Sequence, residues 1–170
     1  MRIIGIDPGY AIVGYGVLDY QGSRFTPVEY GAITTPAGLP LEQRLEMIYT
    51  GLGEVLSRTA PGAMAVEQLF FTNNQTTAMA VAQARGVILL CARQQGVPVF
   101  EYTPLQVKQA VVGYGKAVKT QVMEMTRRLL ALEKMPKPDD TADALAIAIC
   151  HAHTGSSLLT SKLYAKGAAR

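Results

Sequence analysis

The opening of the chain mixes short apolar runs with two-residue alternation, which predicts a three-strand meander: Arg2 to Asp7, about Val13 to Asp19, and Arg24 to Thr34. Pro8-Gly9 and Gln21-Gly22-Ser23 supply the turns. The period then lengthens. Leu41, Leu45, Ile48, Leu52, Val55 and Leu56 recur at helical spacing, weakened by Gly51 and Gly53 and ended by Pro61-Gly62. Ala63 to Glu67 has the short apolar character of a buried strand. A polar loop leads to a helix from about Thr76 to Gln95, and Gly96 stops it before a strand from Val97 to Tyr102. Three more helices are expected near Pro104 to Val112, Thr120 to Leu132 and Asp139 to His153. This order predicts an α/β fold: a five-stranded mixed sheet flanked by helices, with an antiparallel start and two right-handed crossovers. One domain is expected over 1–154. Residues 155–170 mix Ser, Gly, Ala and Lys with little periodicity and predict a mobile basic tail.

Composition narrows the class. With 170 residues, 49% hydrophobic and 17% charged, the chain has the length for one sizeable core. The longest strictly apolar run, Ala144 to Cys150, is far short of the roughly 20 residues needed to cross a bilayer. The N-terminus enters a strand with no signal-peptide pattern, so a cytoplasmic protein without a membrane partner is expected. Cys91 and Cys150 stand apart, without metal-type spacing, and predict buried reduced thiols. The net charge is only +3, but from Thr103 to Lys137 seven lysines and arginines face only Glu124 and Glu133. That third of the chain offers a docking face for a polyanion; solvated helix faces with snorkelling stems are the alternative.

Four acids carry the candidate chemistry. Asp7 ends the apolar run Ile3-Ile4-Gly5-Ile6 and Glu67 ends Ala63-Met64-Ala65-Val66, so each is an acid at the carboxyl end of a buried strand, where open α/β sheets place ligands. Asp140 and Asp143 share one face of the last helix. Each has an ordinary explanation: Asp7 as a turn aspartate before Pro8-Gly9, and Asp139 or Asp140 as a helix N-cap with Asp143 near the dipole. The surroundings favour chemistry. Ala142, Leu145, Ala146 and Ile149 oppose the acids while Ala144 and Ile147 lie beside them, so this helix is expected to be buried on both faces. Buried carboxylates need compensation, and the helix itself, from Asp139 to His153, carries no arginine or lysine. Acids from separate elements, with no His or Cys cluster, suit Mg²⁺, or Mn²⁺, better than zinc. Two such ions roughly 4 Å apart stabilise the attacking and leaving oxygens of phosphodiester hydrolysis.

Several ordered motifs carry a resemblance. They are Gly5-Ile6-Asp7-Pro8-Gly9, Gly14-Tyr15-Gly16, Val66-Glu67-Gln68, Gln83-Ala84-Arg85-Gly86, Val107-Lys108-Gln109-Ala110-Val111-Val112-Gly113 and Asp140-Thr141-Ala142-Asp143-Ala144-Leu145-Ala146. From Met1 to about His153 the chain resembles RuvC, the bacterial Holliday junction resolvase family. The resemblance implies an RNase H-like fold, a homodimer, and Mg²⁺-dependent symmetric nicking of four-way DNA junctions that leaves 5′-phosphate ends. It also implies partnership with the RuvA and RuvB branch-migration proteins. The family's four catalytic and metal-holding acids fall on Asp7, Glu67, Asp140 and Asp143. Some members carry His where this chain has Asp140. The family's DNA-contacting bases fall on Lys108 and Lys119, which frame Gly113-Tyr114-Gly115-Lys116, a loop whose Lys116 and Tyr114 are further DNA-binding candidates. Phe70 matches an aromatic that the family places near the junction, where it stacks on an unpaired base or packs on the following helix.

Two further features bear on assembly and ligation. Ala78, Ala82 and Gly86 form a small-residue stripe suited either to a dimer surface or to packing on the sheet. His151 and His153, beyond the acids, are expected to be ordinary C-terminal turn residues. Three rivals remain at this point: an ATP-handling member of the same broad fold, a non-catalytic junction binder, and a nuclease acting on RNA. A nucleotide site of the first kind needs a second glycine-rich phosphate turn, which the chain lacks.

Overall fold

The computed structural model describes the backbone over residues 1–68 and 75–167, and the side chains over 1–68 and 77–155. Five strands form one sheet: β1 (Arg2–Asp7), β2 (Ile12–Gln21), β3 (Arg24–Thr34), β4 (Ala63–Glu67) and β5 (Val99–Tyr102), in the order β3-β2-β1-β4-β5. β1 pairs antiparallel with β2, and β2 with β3, whereas β4 runs parallel to both β1 and β5. The mixed sheet with an antiparallel start is therefore present. Five helices accompany it: α1 (Leu41–Thr59), α2 (Gln75–Gln94), α3 (Pro104–Val112), α4 (Lys119–Leu129) and α5 (Asp139–Gly167).

Strand alternation divides the core into two layers. Ile4, Ile6, Val13, Val17, Met64 and Val66 face one side, where they pack with Ile48, Leu52 and Val55 of α1 and Ala84 and Ile88 of α2. Ile3, Leu18 and Ala65 face the other, against Leu145, Ala146, Ile147, Ala148 and Ile149 of α5. By the same parity Asp7 and Glu67 belong to the α5 side. That parity is what points two strand-end acids at one helix.

Glycine brings this helix down onto the sheet. Gly5, Gly14 and Gly16 lie on the α5 face, and Gly5 stands opposite Gly16 in the ladder while Asp7 stands opposite Gly14. A Cβ at Gly5 would lie 2.0 Å from the Ala144 carbonyl oxygen, and one at Gly14 would lie 2.0 Å from that of Asp140. Neither leaves room for a methyl group. From Ala144 to Cys150 every residue of α5 is buried, as expected for a helix covered on both faces.

Several boundaries differ from the sequence expectation. Gly51 and Gly53 do not interrupt α1; a Cβ at Gly51 would lie 3.1 Å from Ile33 Cγ2, so the glycine lets α1 approach β3. β5 starts at Val99 because Val97 still donates its N–H to Ala92, closing α2 through left-handed Gly96. α4 ends at Leu129, where left-handed Ala131 turns the chain and Arg127 binds the Leu132 carbonyl. α5 continues past His153 to Gly167. His151 is consequently a mid-helix core residue, its Nδ1 2.7 Å from the buried Tyr102 hydroxyl, and not a terminal turn residue. His153 Nδ1 lies 3.0 Å from the Ala110 carbonyl oxygen. Cys91 and Cys150 are both buried and free. Among the described residues no helix is long and apolar enough to cross a membrane.

Candidate active site

Parallel pairing sets Asp7 beside Glu67. Ile6 is partnered with Val66, so the next residue of each strand is an acid, on chains ~4.8 Å apart. The first turn of α5 then meets them from above. Its seating on Gly14, the ladder partner of Asp7, fixes the backbone of Asp140 against β2 and carries Asp143 toward the strand ends.

Electrostatics record this gathering. Burial pushes the Asp7 carboxyl up to about 7, and the charges of Glu67, Asp143 and Asp140 push the same way, with Lys119 opposing. Burial and then Asp143 also raise Glu67, against Lys119 and Lys108. Four carboxylates from three elements thus act on one another. Neither Asp7 nor Asp140 caps a backbone N–H among the described residues, so the turn and N-cap explanations do not account for them.

Compensation comes from outside the helix. Lys119, the first residue of α4, places its Nζ 2.9 Å from Asp143 Oδ2 and 3.9 Å from Asp139 Oδ2. This hydrogen bond raises the lysine's pKa. The base nearest in sequence, Lys137, pairs with Asp139 at 3.0 Å, and the fold delivers another to Asp143 from 24 positions upstream. Lys119, expected to contact DNA, here contacts an acid. A cavity of about 190 Å³ opens between these groups, lined by Glu67, Asp143, Lys108, Lys119, Pro104 and Val107 among others.

Among the described residues no group of three or more His, Cys, Asp or Glu side chains is close enough together to hold a metal ion. The acids are neighbours rather than a coordination shell. Their chemistry nevertheless fits a hard divalent cation. The donors are all oxygens, the most buried of them resists ionising, and an ammonium group already sits on one.

The remaining candidates divide. Lys108 of α3 lines the cavity, half-buried, while Tyr114 and Lys116 are exposed on the following loop. That loop starts at left-handed Gly113 and folds back on α3, since a Cβ on Gly115 would lie 2.1 Å from Leu105 Cδ1. Phe70 lies outside the described residues. On α2 the sheet-facing positions are Ala84, Ile88, Cys91 and Ala92, so the Ala78, Ala82 and Gly86 stripe does not pack on the sheet core. Gly86 is exposed and a Cβ there would meet nothing within 4 Å. Met79 and Leu90 are exposed on the same helix.

Sequence reading missed two supports of the site. The glycine seat under α5 was visible only as glycines sharing the strand parity of Asp7. The second is a clamp on the turn after Asp7. Thr35 Oγ1 donates to the Tyr10 carbonyl at 2.7 Å and accepts from Arg44 Nε at 2.8 Å, and the Arg44 guanidinium lies 4.4 Å from the Tyr10 ring centroid.

Comparison with known proteins gives the same picture. The family model described as crossover junction endodeoxyribonuclease RuvC matches residues 3–151. A protein of that name from Desulfitobacterium hafniense is 58% identical over 154 residues, covering 91% of this chain and 93% of its own. The structure described as Thermus thermophilus RuvC superposes with a TM-score of 0.86 at 39% identity, covering 92% of this chain and 96% of that one. T. thermophilus RuvC in complex with Holliday junction substrate gives a TM-score of 0.85 at 40% identity over 89% and 93% of the two chains. With its RNase H-like architecture, its paired strand-end acids and a family match over nearly its whole length, the chain belongs to the RuvC family of crossover junction endodeoxyribonucleases.

Proposed function

We propose that this chain is a metal-dependent endonuclease that resolves four-way DNA junctions by hydrolysing phosphodiester bonds symmetrically in two strands. Family membership supports the activity, and a relative has been seen on Holliday junction substrate. The observation that supports the assignment to residues is that Glu67, Asp143 and Asp140 all act on the buried Asp7 carboxyl, with Glu67 and Asp143 lining a cavity together with Lys108 and Lys119.

Asp7, Glu67, Asp140 and Asp143 would hold Mg²⁺, or Mn²⁺, as two ions per site. Bound there, such ions would supply charge neutralisation at the scissile phosphate and lower the pKa of a water. Asp7 ends the central strand and would hold the ions together with Glu67 of the neighbouring strand and the α5 pair. Lys108 holds the phosphate backbone at the cavity wall, Lys116 and Tyr114 extend this contact along the exposed loop, and Lys119 at the start of α4 adds to it. Phosphate contacts of that kind give affinity without reading sequence.

A homodimer serves a substrate that presents two equivalent strands. The outward stripe of α2 around Gly86, with Met79 and Leu90 exposed beside it, supports that helix as the dimer surface. Action in the cytoplasm with RuvA and RuvB completes the reading. It is tested by incubating the protein with matched four-way junction, linear duplex and RNA hybrid substrates, with Mg²⁺ and with chelator. Paired nicks in the junction alone, only with Mg²⁺, are expected. Equal cutting of linear duplex, or cutting in chelator, overturns it.

A further inference from the structure

Lys119 holds a position between the acids and solvent. Its ammonium is bonded to Asp143 at 2.9 Å, yet its side chain is 55% exposed and follows directly on the exposed loop that carries Lys116. Asp139, its more distant neighbour, has Lys137 at 3.0 Å and does not need a second base. The partner that matters is Asp143. Lysine is a point charge on a flexible four-carbon stem, so its head can leave one acceptor for another without moving α4.

A divalent cation and the ammonium cannot both be held at Asp143 without repelling each other across a few ångströms. Lys108 lines the same cavity from α3, so an ammonium that leaves Asp143 enters a positive rim facing solvent. The acceptor that such a rim recruits is a phosphate.

We propose that Lys119 is the resident counter-cation of the acid cleft, exchanged for a divalent metal ion and thereby released to a DNA phosphate, so that one ammonium group couples metal binding to junction binding. The inference rests on the assignment of the four acids as a metal site. In the metal-free protein Lys119 is spent on Asp143 and adds nothing to DNA affinity. With metal bound it becomes an additional phosphate contact. Linkage makes the effect reciprocal: DNA that captures Lys119 also favours metal. Because the pair is exposed, the coupling is several-fold rather than several orders of magnitude.

Two measurements on Lys119→Gln and the unaltered protein test this. The first is Mn²⁺ titration without DNA, reading free ion by electron paramagnetic resonance. Loss of the competing ammonium should tighten Mn²⁺ binding by about two- to fivefold. Equal or weaker binding by the variant overturns the exchange while leaving the acid site intact. If the unaltered protein itself takes up no Mn²⁺, the acid-site assignment falls and the exchange with it. The second is the dependence of junction affinity on salt, in chelator and in saturating Ca²⁺. The two proteins should share one slope in chelator and differ by about one phosphate contact in Ca²⁺. A difference already present in chelator refutes the release of Lys119 by metal. The melting temperature of Lys119→Gln, with its substituted group in solvent, verifies that the variant is folded.

Discussion

Replacing Asp7 by Asn should make the metal-free protein more stable while removing its activity. The carboxyl of Asp7 is held at about 7, against an ordinary value of 3.8, first by burial and then by Glu67, Asp143 and Asp140. The native state therefore keeps a proton that the unfolded chain has already lost. Stability associated with that proton is fully present below the ordinary value and is lost as pH rises from about 4 through about 7. A shift of about three units at about 1.4 kcal/mol each sets a ceiling of roughly 4 kcal/mol. Solvent reaching a half-buried group reduces this to about 1–3 kcal/mol. Asn keeps the shape and one oxygen but carries no charge. In chelator at pH 8, Asp7→Asn should melt about 3–10 °C higher, at about 2–4 °C per kcal/mol for a domain of this size. At pH 4 the two proteins should melt within about 2 °C of each other, because the native carboxyl is already protonated. Junction binding should persist, while cleavage with Mg²⁺ falls by at least about a hundredfold. Scanning calorimetry at the two pH values is the assay. A variant less stable at pH 8, or a difference independent of pH, would refute the repulsive acid cluster.

Other consequences lie around the site. Gly14→Ala pushes a Cβ into the Asp140 carbonyl oxygen, 2.0 Å away, so α5 must shift; about 1–3 kcal/mol of stability should go, with cleavage falling more than junction affinity. Wild-type stability with cleavage intact would mean that the helix is not seated by this glycine. Lys108→Ala should weaken junction binding equally across sequences and reduce its salt slope by about one; an unchanged slope would put the DNA path on another face. Leu90→Glu charges an exposed α2 position and should abolish the proposed dimer, so that the unaltered protein sediments as a dimer and the variant as a monomer. A dimer that survives it would move the interface off that helix.

How much of this was legible in the sequence depends on the distance over which each feature is encoded. The strands and α3 were readable because their signals are local: the parity of Ile3 to Asp7, and Thr103 capping Gln106 ahead of Val107. The positions of Asp7 and Glu67 at strand ends, and of Asp140 and Asp143 at the start of α5, were readable because strand ends and helix starts are themselves sequence features. Asp143's counter-ion was not, since Lys119 reaches it only through the packing of α4 on α5. The clamp of Arg44, Thr35 and Tyr10 likewise joins three segments with no common motif. The end of α5 escaped a periodicity argument because Gly155, Ser156 and Ser157 dilute the apolar pattern where the helix continues. For His151 the spacing was visible but its partner, Tyr102 on an adjacent strand, was not.

The central claim is that Asp7, Glu67, Asp140 and Asp143 close around metal as one site. Anomalous diffraction from crystals equilibrated with Mn²⁺ measures this directly. The account predicts Mn²⁺ peaks at about 2.0–2.3 Å from oxygens of Asp7 and of acids from both β4 and α5, with Lys119 withdrawn from Asp143. Saturating Mn²⁺ with no peak among these acids, or peaks held elsewhere while Lys119 stays on Asp143, would contradict it.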